Sequence, residues 1–204
     1  MGKIFYIMGK SASGKDRIYS ILSKDESLGL KRLVLYTTRP IRAGEENGRE
    51  YYFTDETGLK KLEEEGRVIE LRAYNTKCGV WKYFTVNDGQ ISLDEKDYLV
   101  IGTLESYAEM RRYFGSEKVI GIYIEVEDGI RLERALKREQ QQANPKYAEM
   151  CRRFLADQDD FSEEKLEQAG IERRFCNVEF ETCVEEICRF IVSDQNGERV
   201  HRER

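Results

Sequence analysis

The feature that most constrains this chain is the stretch Gly9-Lys10-Ser11-Ala12-Ser13-Gly14-Lys15-Asp16. A short apolar run, Ile4-Phe5-Tyr6-Ile7-Met8, precedes it, and Arg17-Ile18-Tyr19-Ser20-Ile21-Leu22 follows with apolar residues at helical spacing. Strand, glycine-bracketed loop and helix in that order make G-x-x-x-x-G-K a phosphate cradle. The glycines permit a tight turn whose successive N–H groups point at phosphate oxygens. The helix starting near Lys15 adds the partial positive charge of its N-terminus. Lys15 itself supplies a mobile cation for the β- and γ-phosphates. The stretch reads as an NTP-binding loop, with each residue from Gly9 to Asp16 a candidate ATP contact.

One residue departs from the motif. Asp16 stands where Ser or Thr usually offers a hydroxyl to Mg²⁺. A carboxylate about 4 Å from a phosphate charge is repelled by about 4 kcal/mol at an effective dielectric near 20. A divalent cation between them relieves this, since Mg²⁺ favours carboxylate plus phosphate oxygens. Asp16 is therefore the candidate metal residue; the competing reading is that it only complements the helix dipole.

A chain of 204 residues can bury one good core and carry a small inserted lobe. A charged fraction of 36% and a net charge of −5 argue against a general nucleic-acid or membrane-surface binder. No apolar run is long enough to span a bilayer, and Ile4-Phe5-Tyr6-Ile7-Met8 is too short for a signal-peptide core. Cys78, Cys151, Cys176, Cys183 and Cys188 show neither C-x-x-C pairing nor zinc spacing, so reduced thiols in a cytoplasmic protein are expected. The single histidine, His201, lies in a polar tail, which argues against histidine-based catalysis. Phosphoryl transfer is untouched by that, because it depends on positioning and charge stabilisation more than on a base. The expected partners are small-molecule nucleotides; oligomeric state is not legible.

Along the chain, strands are expected at residues 4–8, 31–38, 51–53, 67–74, 80–86, 98–102, 118–125 and 174–178. Helices are expected from Lys15, at 55–65 with Asp55 as N-cap, and at 105–114, 128–142, 146–160, 162–170 and 181–192. Strands alternating with helices imply an α/β fold, a parallel sheet wrapped by helices with ligands at the strands' carboxyl ends. The core would comprise residues 1–36 and 88–192, with a helical lid near 128–160. A small mixed-sheet lobe at 37–87 interrupts it, and 193–204 is a polar tail.

Residues 37–53 carry the second signal: Thr37-Thr38-Arg39-Pro40-Ile41-Arg42-Ala43-Gly44-Glu45-Glu46-Asn47-Gly48-Arg49-Glu50-Tyr51-Tyr52-Phe53. Two arginines three apart on a glycine-turned loop can converge on one anion, and a tyrosine hydroxyl adds a neutral donor. By the residues alone, a phosphate-binding loop and a solvated basic turn remain equally open.

Here the chain resembles the guanylate kinase family, whose signature T-T-R-x-x-R-x-G-E-x-x-G-x-x-Y-x-F is met at every fixed position. The resemblance implies ATP- and Mg²⁺-dependent transfer to a nucleoside monophosphate, most simply GMP to GDP. It implies that Arg39, Arg42 and Tyr51 hold the acceptor's phosphate and that Glu70 accepts from guanine. It implies lid arginines at Arg134, Arg138 and Arg153 that act with Lys15 on the transferring group, and Asn177 near the ATP ribose or adenine. Three departures stand out: Leu35 replaces a family serine, Val80 a hydroxyl residue, and Ile101 and Thr103 a pair of acids. The family's Y-G-[ST] segment aligns with Cys78-Gly79-Val80, making Gly79 an acceptor-site candidate, or in a shifted register with Tyr83-Phe84-Thr85. With the base-reading residues altered, a kinase for another base or a sugar phosphate stays open. A non-catalytic binding module also stays open, although the intact Gly9–Lys15 loop weighs against it.

Overall fold

The structure is a computed structural model and describes residues 2–76 and 79–197. Among these, the strands form two sheets. The first contains β1 (Ile4–Met8), β2 (Lys31–Arg32), β7 (Tyr98–Ile101), β8 (Val119–Glu125) and β9 (Arg174–Cys176), in the order β2-β7-β1-β8-β9. All its pairings are parallel, with Ile4 level with both Tyr98 and Val119. Central β1 is buried along its whole length, which is why its sequence is a continuous apolar run and not an alternation.

Both faces of that sheet are covered. Phe5 and Ile7 pack with α1 (Lys15–Leu22) and α7 (Phe180–Gln195) through Ile18, Leu22, Ile187 and Ile191. Ile4, Tyr6 and Met8 pack on the other side with α3 (Leu104–Phe114) and α6 (Glu163–Gln168) through Tyr107, Met110 and Leu166. Between β8 and α6 run α4 (Asp128–Gln140) and α5 (Tyr147–Asp160).

The second sheet is mixed. It holds β3 (Tyr36–Thr37), β4 (Tyr52–Phe53), β5 (Val68–Thr76) and β6 (Gly79–Val86) in the order β4-β3-β6-β5. α2 (Glu56–Glu64) contributes Leu59 to a small core with Phe84 and Val86, and Asp55 caps it by accepting from the Gly58 amide at 2.7 Å. The β5–β6 register slips between Val68 and Glu70, leaving Ile69 as the extra residue of a bulge next to Glu70.

Two expectations need correction. Residues 31–38 are not one strand: β2 pairs with β7 in the first sheet, and β3 pairs with β4 and β6 in the second. The backbone crosses between sheets at Val34, whose N–H and C=O are both satisfied by the Gln90 side-chain amide at 3.1 Å. The last helix also continues past 192 to Gln195. Polar residues hold its end: Lys3 Nζ donates to Asp194 at 2.6 Å, and Gln195 donates to the Leu28 carbonyl and to Asp97. Cys78 and His201 lie outside the described residues. Among the described residues, no helix is long and apolar enough to cross a membrane.

Candidate active site

The glycine-bracketed loop leaves the carboxyl end of β1 and enters α1 at Lys15. Ala12 and Gly14 adopt left-handed backbone conformations, φ 62° and 88°, which curl the loop into a nest of inward-facing amides. Gly14 is required twice over: by that φ, and because a Cβ there would collide with the Asn177 amide. Asn177 is buried and donates from Nδ2 to the Ser13 carbonyl at 2.7 Å, so its side chain grips the loop's backbone. Lys15 Nζ rests 3.6 Å from Asp16 Oδ2, and the Asp16 carboxylate is 85% exposed. Asp16 caps no amide by hydrogen bond, so it is free to face a ligand.

A strap of charged side chains ties α4 and α5 to this loop. Arg131, 1% exposed, donates to the Ser11 carbonyl at 2.9 Å, binds Asp128 at 2.7 Å and approaches Asp157 at 3.4 Å. Asp157 accepts from the Ser11 amide at 2.8 Å, and Lys10 Nζ donates to Gln158 at 2.6 Å. Neither Arg131 nor Asp157 is distinguishable in sequence from an ordinary charged helix face. Of the three arginines expected on the lid, Arg134 donates at 3.0 Å to the carbonyl of Asn177, the residue whose side chain grips the loop. Arg153 is exposed and bound to Glu149 on its own helix, and Arg138 is exposed; neither is brought to the loop.

The arginine loop is built around Arg39, which is 3% exposed. Its guanidinium makes a two-pronged bond to Glu45 at 2.8 and 2.9 Å and donates to the Pro40 carbonyl. That hydrogen bond, together with one from the Arg42 amide, holds the Glu45 carboxyl down at about 2. Tyr51 and Phe53 lie under the guanidinium at 5.5 and 5.4 Å. Arg42, by contrast, is exposed, 5.9 Å from the Trp81 ring.

Beside this loop lies a buried polar cluster. Glu70, 4% exposed overall, accepts from Arg72 Nε at 3.0 Å and Nη2 at 3.3 Å, and from the Thr85 hydroxyl at 2.7 Å. Removing one member of such a buried ion pair typically costs about 3–5 kcal/mol, because the other charge is stranded. Arg72 Nη1 reaches the Thr103 hydroxyl at 3.4 Å, and Thr103 caps α3 by accepting from the Ser106 amide. Tyr6 shares a short hydrogen bond with Ser106 beneath, and burial pushes its hydroxyl up to about 12. Gly102, next to Thr103, donates to the Ile7 carbonyl at 3.0 Å, so this cluster stands one strand away from the phosphate loop, at the same sheet edge. Of the two alternative segments, Thr85 faces Glu70, and Tyr83 pairs across from Arg72 and packs on Tyr51. Gly79 and Val80 pair with Thr76 and Asn75 at the turn end of the hairpin. A cavity of about 430 Å³ opens beside Thr103, walled by Tyr74, Leu104 and Ala108. Arg72 was not singled out in the sequence. The signal was there: opposite charges two apart on a strand share a face.

A guanylate kinase family model matches residues 1–164. The chain belongs to the guanylate kinase family. It is 39% identical to a guanylate kinase of Rhodopseudomonas palustris over 69 residues, 34% of this chain and 31% of the relative. It is 26% identical to a guanylate kinase of Porphyromonas gingivalis over 195 residues, 94% of this chain and 97% of the relative. The chain spans about a third to a half of the length of several curated relatives it matches. The crystal structure of guanylate kinase from Anaplasma phagocytophilum superposes with a TM-score of 0.59 at 19% identity, covering 95% of this chain and 86% of that one, which shows a shared fold.

Proposed function

We propose that this protein transfers the γ-phosphoryl group of ATP to GMP, giving ADP and GDP, in the cytoplasm. The observation that carries the reading is the Arg72–Thr103 bond, which fastens the arginine-loop sheet to the core one strand away from the phosphate loop. The described cysteines are free thiols, in keeping with a reducing compartment. Neither a sugar-phosphate acceptor nor a non-catalytic binding role is favoured over GMP phosphorylation in a chain of this family with an intact phosphate loop.

On this reading Lys15 moves from Asp16 to the β- and γ-phosphates, and the loop amides and the N-terminus of α1 take the phosphate oxygens. Arg42 and Arg39 hold the acceptor's phosphate, Tyr51 supports them, and Arg134 approaches from α4. No general base is needed, because the transfer depends on alignment and charge stabilisation. Mg²⁺ commonly binds one or two carboxylates plus substrate phosphates, and Asp16 fits that donor set: a solvent-facing carboxylate in the first turn of the helix that ends the loop. When bound, the metal neutralises charge on the phosphates.

Two measurements test this. With Mg-ATP, GMP is expected to be the best acceptor among GMP, CMP, UMP and AMP by kcat/KM; absence of turnover on every monophosphate would overturn the proposal. Asp16→Ala is expected to raise the Mg²⁺ concentration for half-maximal rate roughly ten-fold or more, the loss of one charge-assisted contact of about 1.5–3 kcal/mol. An unchanged Mg²⁺ requirement would remove Asp16 from the metal's surroundings.

A further inference from the structure

We propose that Arg131 is a positioning residue of the ATP site: by holding the Ser11 carbonyl it aims the Ala12 amide at the nucleotide's phosphates. The proposal deepens the kinase reading above and rests on it. The peptide group supplies the lever. In a trans peptide the C=O of one residue and the N–H of the next point in opposite directions. Two carbonyls of the loop are gripped by side chains: Ser11 by Arg131 Nη1 at 2.9 Å, and Ser13 by Asn177 Nδ2 at 2.7 Å. Each grip turns the following amide, Ala12 or Gly14, the other way, toward the inside of the nest. Among the described residues neither amide has an acceptor in the protein. The two amides that alternate with them are spent: Ser11 donates to Asp157 at 2.8 Å and Ser13 to the Lys10 carbonyl at 3.2 Å. Between Ser11 and Gly14, the amides left for a phosphate are therefore the two whose peptides are held from behind.

Ala12 is where the hold matters most. Its φ of 62° is left-handed, a conformation that a Cβ disfavours and that glycine adopts freely. Gly14 meets the same demand as a glycine, whereas Ala12 relies on its surroundings to keep the turn. Arg131 is built to supply that hold. It is 1% exposed, its guanidinium lies over the Phe154 ring at 4.6 Å, Asp128 accepts from both Nε and Nη2, and Asp157 stands beside Nη1. A fork fixed in this way cannot swing from the Ser11 carbonyl. Because Asp157 on α5 also takes the Ser11 amide, both helices of the lid grip one loop residue. The lid thus sets the shape of the nest even without touching a nucleotide.

The test measures ADP affinity by titration calorimetry, with steady-state kinetics on the same preparations. Arg131→Met is made together with Asp157→Asn, so that Asp157 is not stranded as a charge and the Ser11 amide keeps an acceptor. This pair is expected to weaken ADP binding roughly ten-fold, the scale of one misaimed charge-assisted hydrogen bond. The KM for ATP should rise by a similar factor while the KM for GMP moves less than about twofold, since only the ATP site is disturbed. Adding Ala12→Gly is the deciding step. Glycine takes the left-handed turn unaided, so it is expected to restore at least about threefold of the lost ADP affinity, more than the same change gains in the wild-type background. An Arg131 that only stabilised the fold, or that touched phosphate directly, would not be rescued by a glycine at position 12. Equal effects of Ala12→Gly in the two backgrounds would overturn the proposal and leave the kinase reading intact; a wild-type protein that binds no ADP would overturn that reading itself. Should the paired variant fail to fold, Arg131→Lys keeps a cation beside both carboxylates but gives up the fork, and the same rescue by Ala12→Gly is expected.

Discussion

Lys15→Ala is expected to lower kcat by about 10²–10³-fold, the usual cost of deleting one preorganised charge-stabilising donor, with little change in melting temperature. The two halves of that expectation have separate physical origins. Among the described residues the Lys15 ammonium has a single ionic partner, the largely solvent-exposed Asp16, and exposed pairs of this kind contribute at most about 1 kcal/mol to folding. The loop's shape is set elsewhere: by the left-handed φ of Ala12 and Gly14, the Asn177 bond to the Ser13 carbonyl, and the Arg131 bond to the Ser11 carbonyl. Deleting the ammonium leaves all of these in place. Phosphoryl transfer, on the other hand, is almost entirely positioning and charge stabilisation, so the loss of a cation proposed to sit at the β/γ-phosphates falls on the rate. Steady-state kinetics and a thermal melt on the same preparation check both halves. Near-wild-type turnover in the variant would show that Lys15 does not face the transferred group.

What the sequence made legible follows the reach of its signals. Local patterns located β1, the phosphate loop, α1, the capped α2 and the β7-α3-β8 succession, because buried parallel strands and capped amphipathic helices leave short-range marks. The split of residues 31–38 was not legible, since Leu33-Val34-Leu35 is as apolar as any strand. It is Gln90, far along the chain, that satisfies the Val34 backbone and lets the segment change sheets. The polar strap had the same problem. Arg131, Asp128 and Asp157 look like solvent-facing helix charges until the fold buries Arg131 against Ser11. Glu70 shows the converse error. Read singly it is a free acceptor; the β5–β6 register makes it a partner of Arg72 and Thr85.

The two arginines of the loop after β3 are expected to differ in kind, although the motif treats them alike. Arg42→Ala should raise the KM for the monophosphate roughly ten- to a hundred-fold, by losing a charge-assisted contact of about 1.5–3 kcal/mol, and leave the KM for ATP and the melting temperature unchanged. Among the described residues its exposed guanidinium makes a long contact to Trp81 and a weak charge interaction with Glu45, so the free protein loses little with it. Arg39→Ala should raise the same KM and also lower the melting temperature, because Arg39 is buried over Tyr51 and Phe53 and staples the loop through Glu45 and the Pro40 carbonyl. Glu45→Gln isolates the staple: it keeps the guanidinium but weakens its anchor, and is expected to share the melting shift with a smaller effect on KM. The sign of the pH dependence gives an independent check. Hydrogen bonding from Arg39 lowers Glu45 from 4.5 to about 2, so the staple's stabilisation is fully present above the unfolded carboxyl's value and is lost as pH falls toward 2. The melting difference between wild type and Glu45→Gln should therefore be constant at neutral pH and shrink below about pH 4.5. Equal effects of Arg39→Ala and Arg42→Ala on stability, or equal effects of Arg42→Ala on both substrates, would mean that the loop's role is structural and that the acceptor's phosphate is held elsewhere.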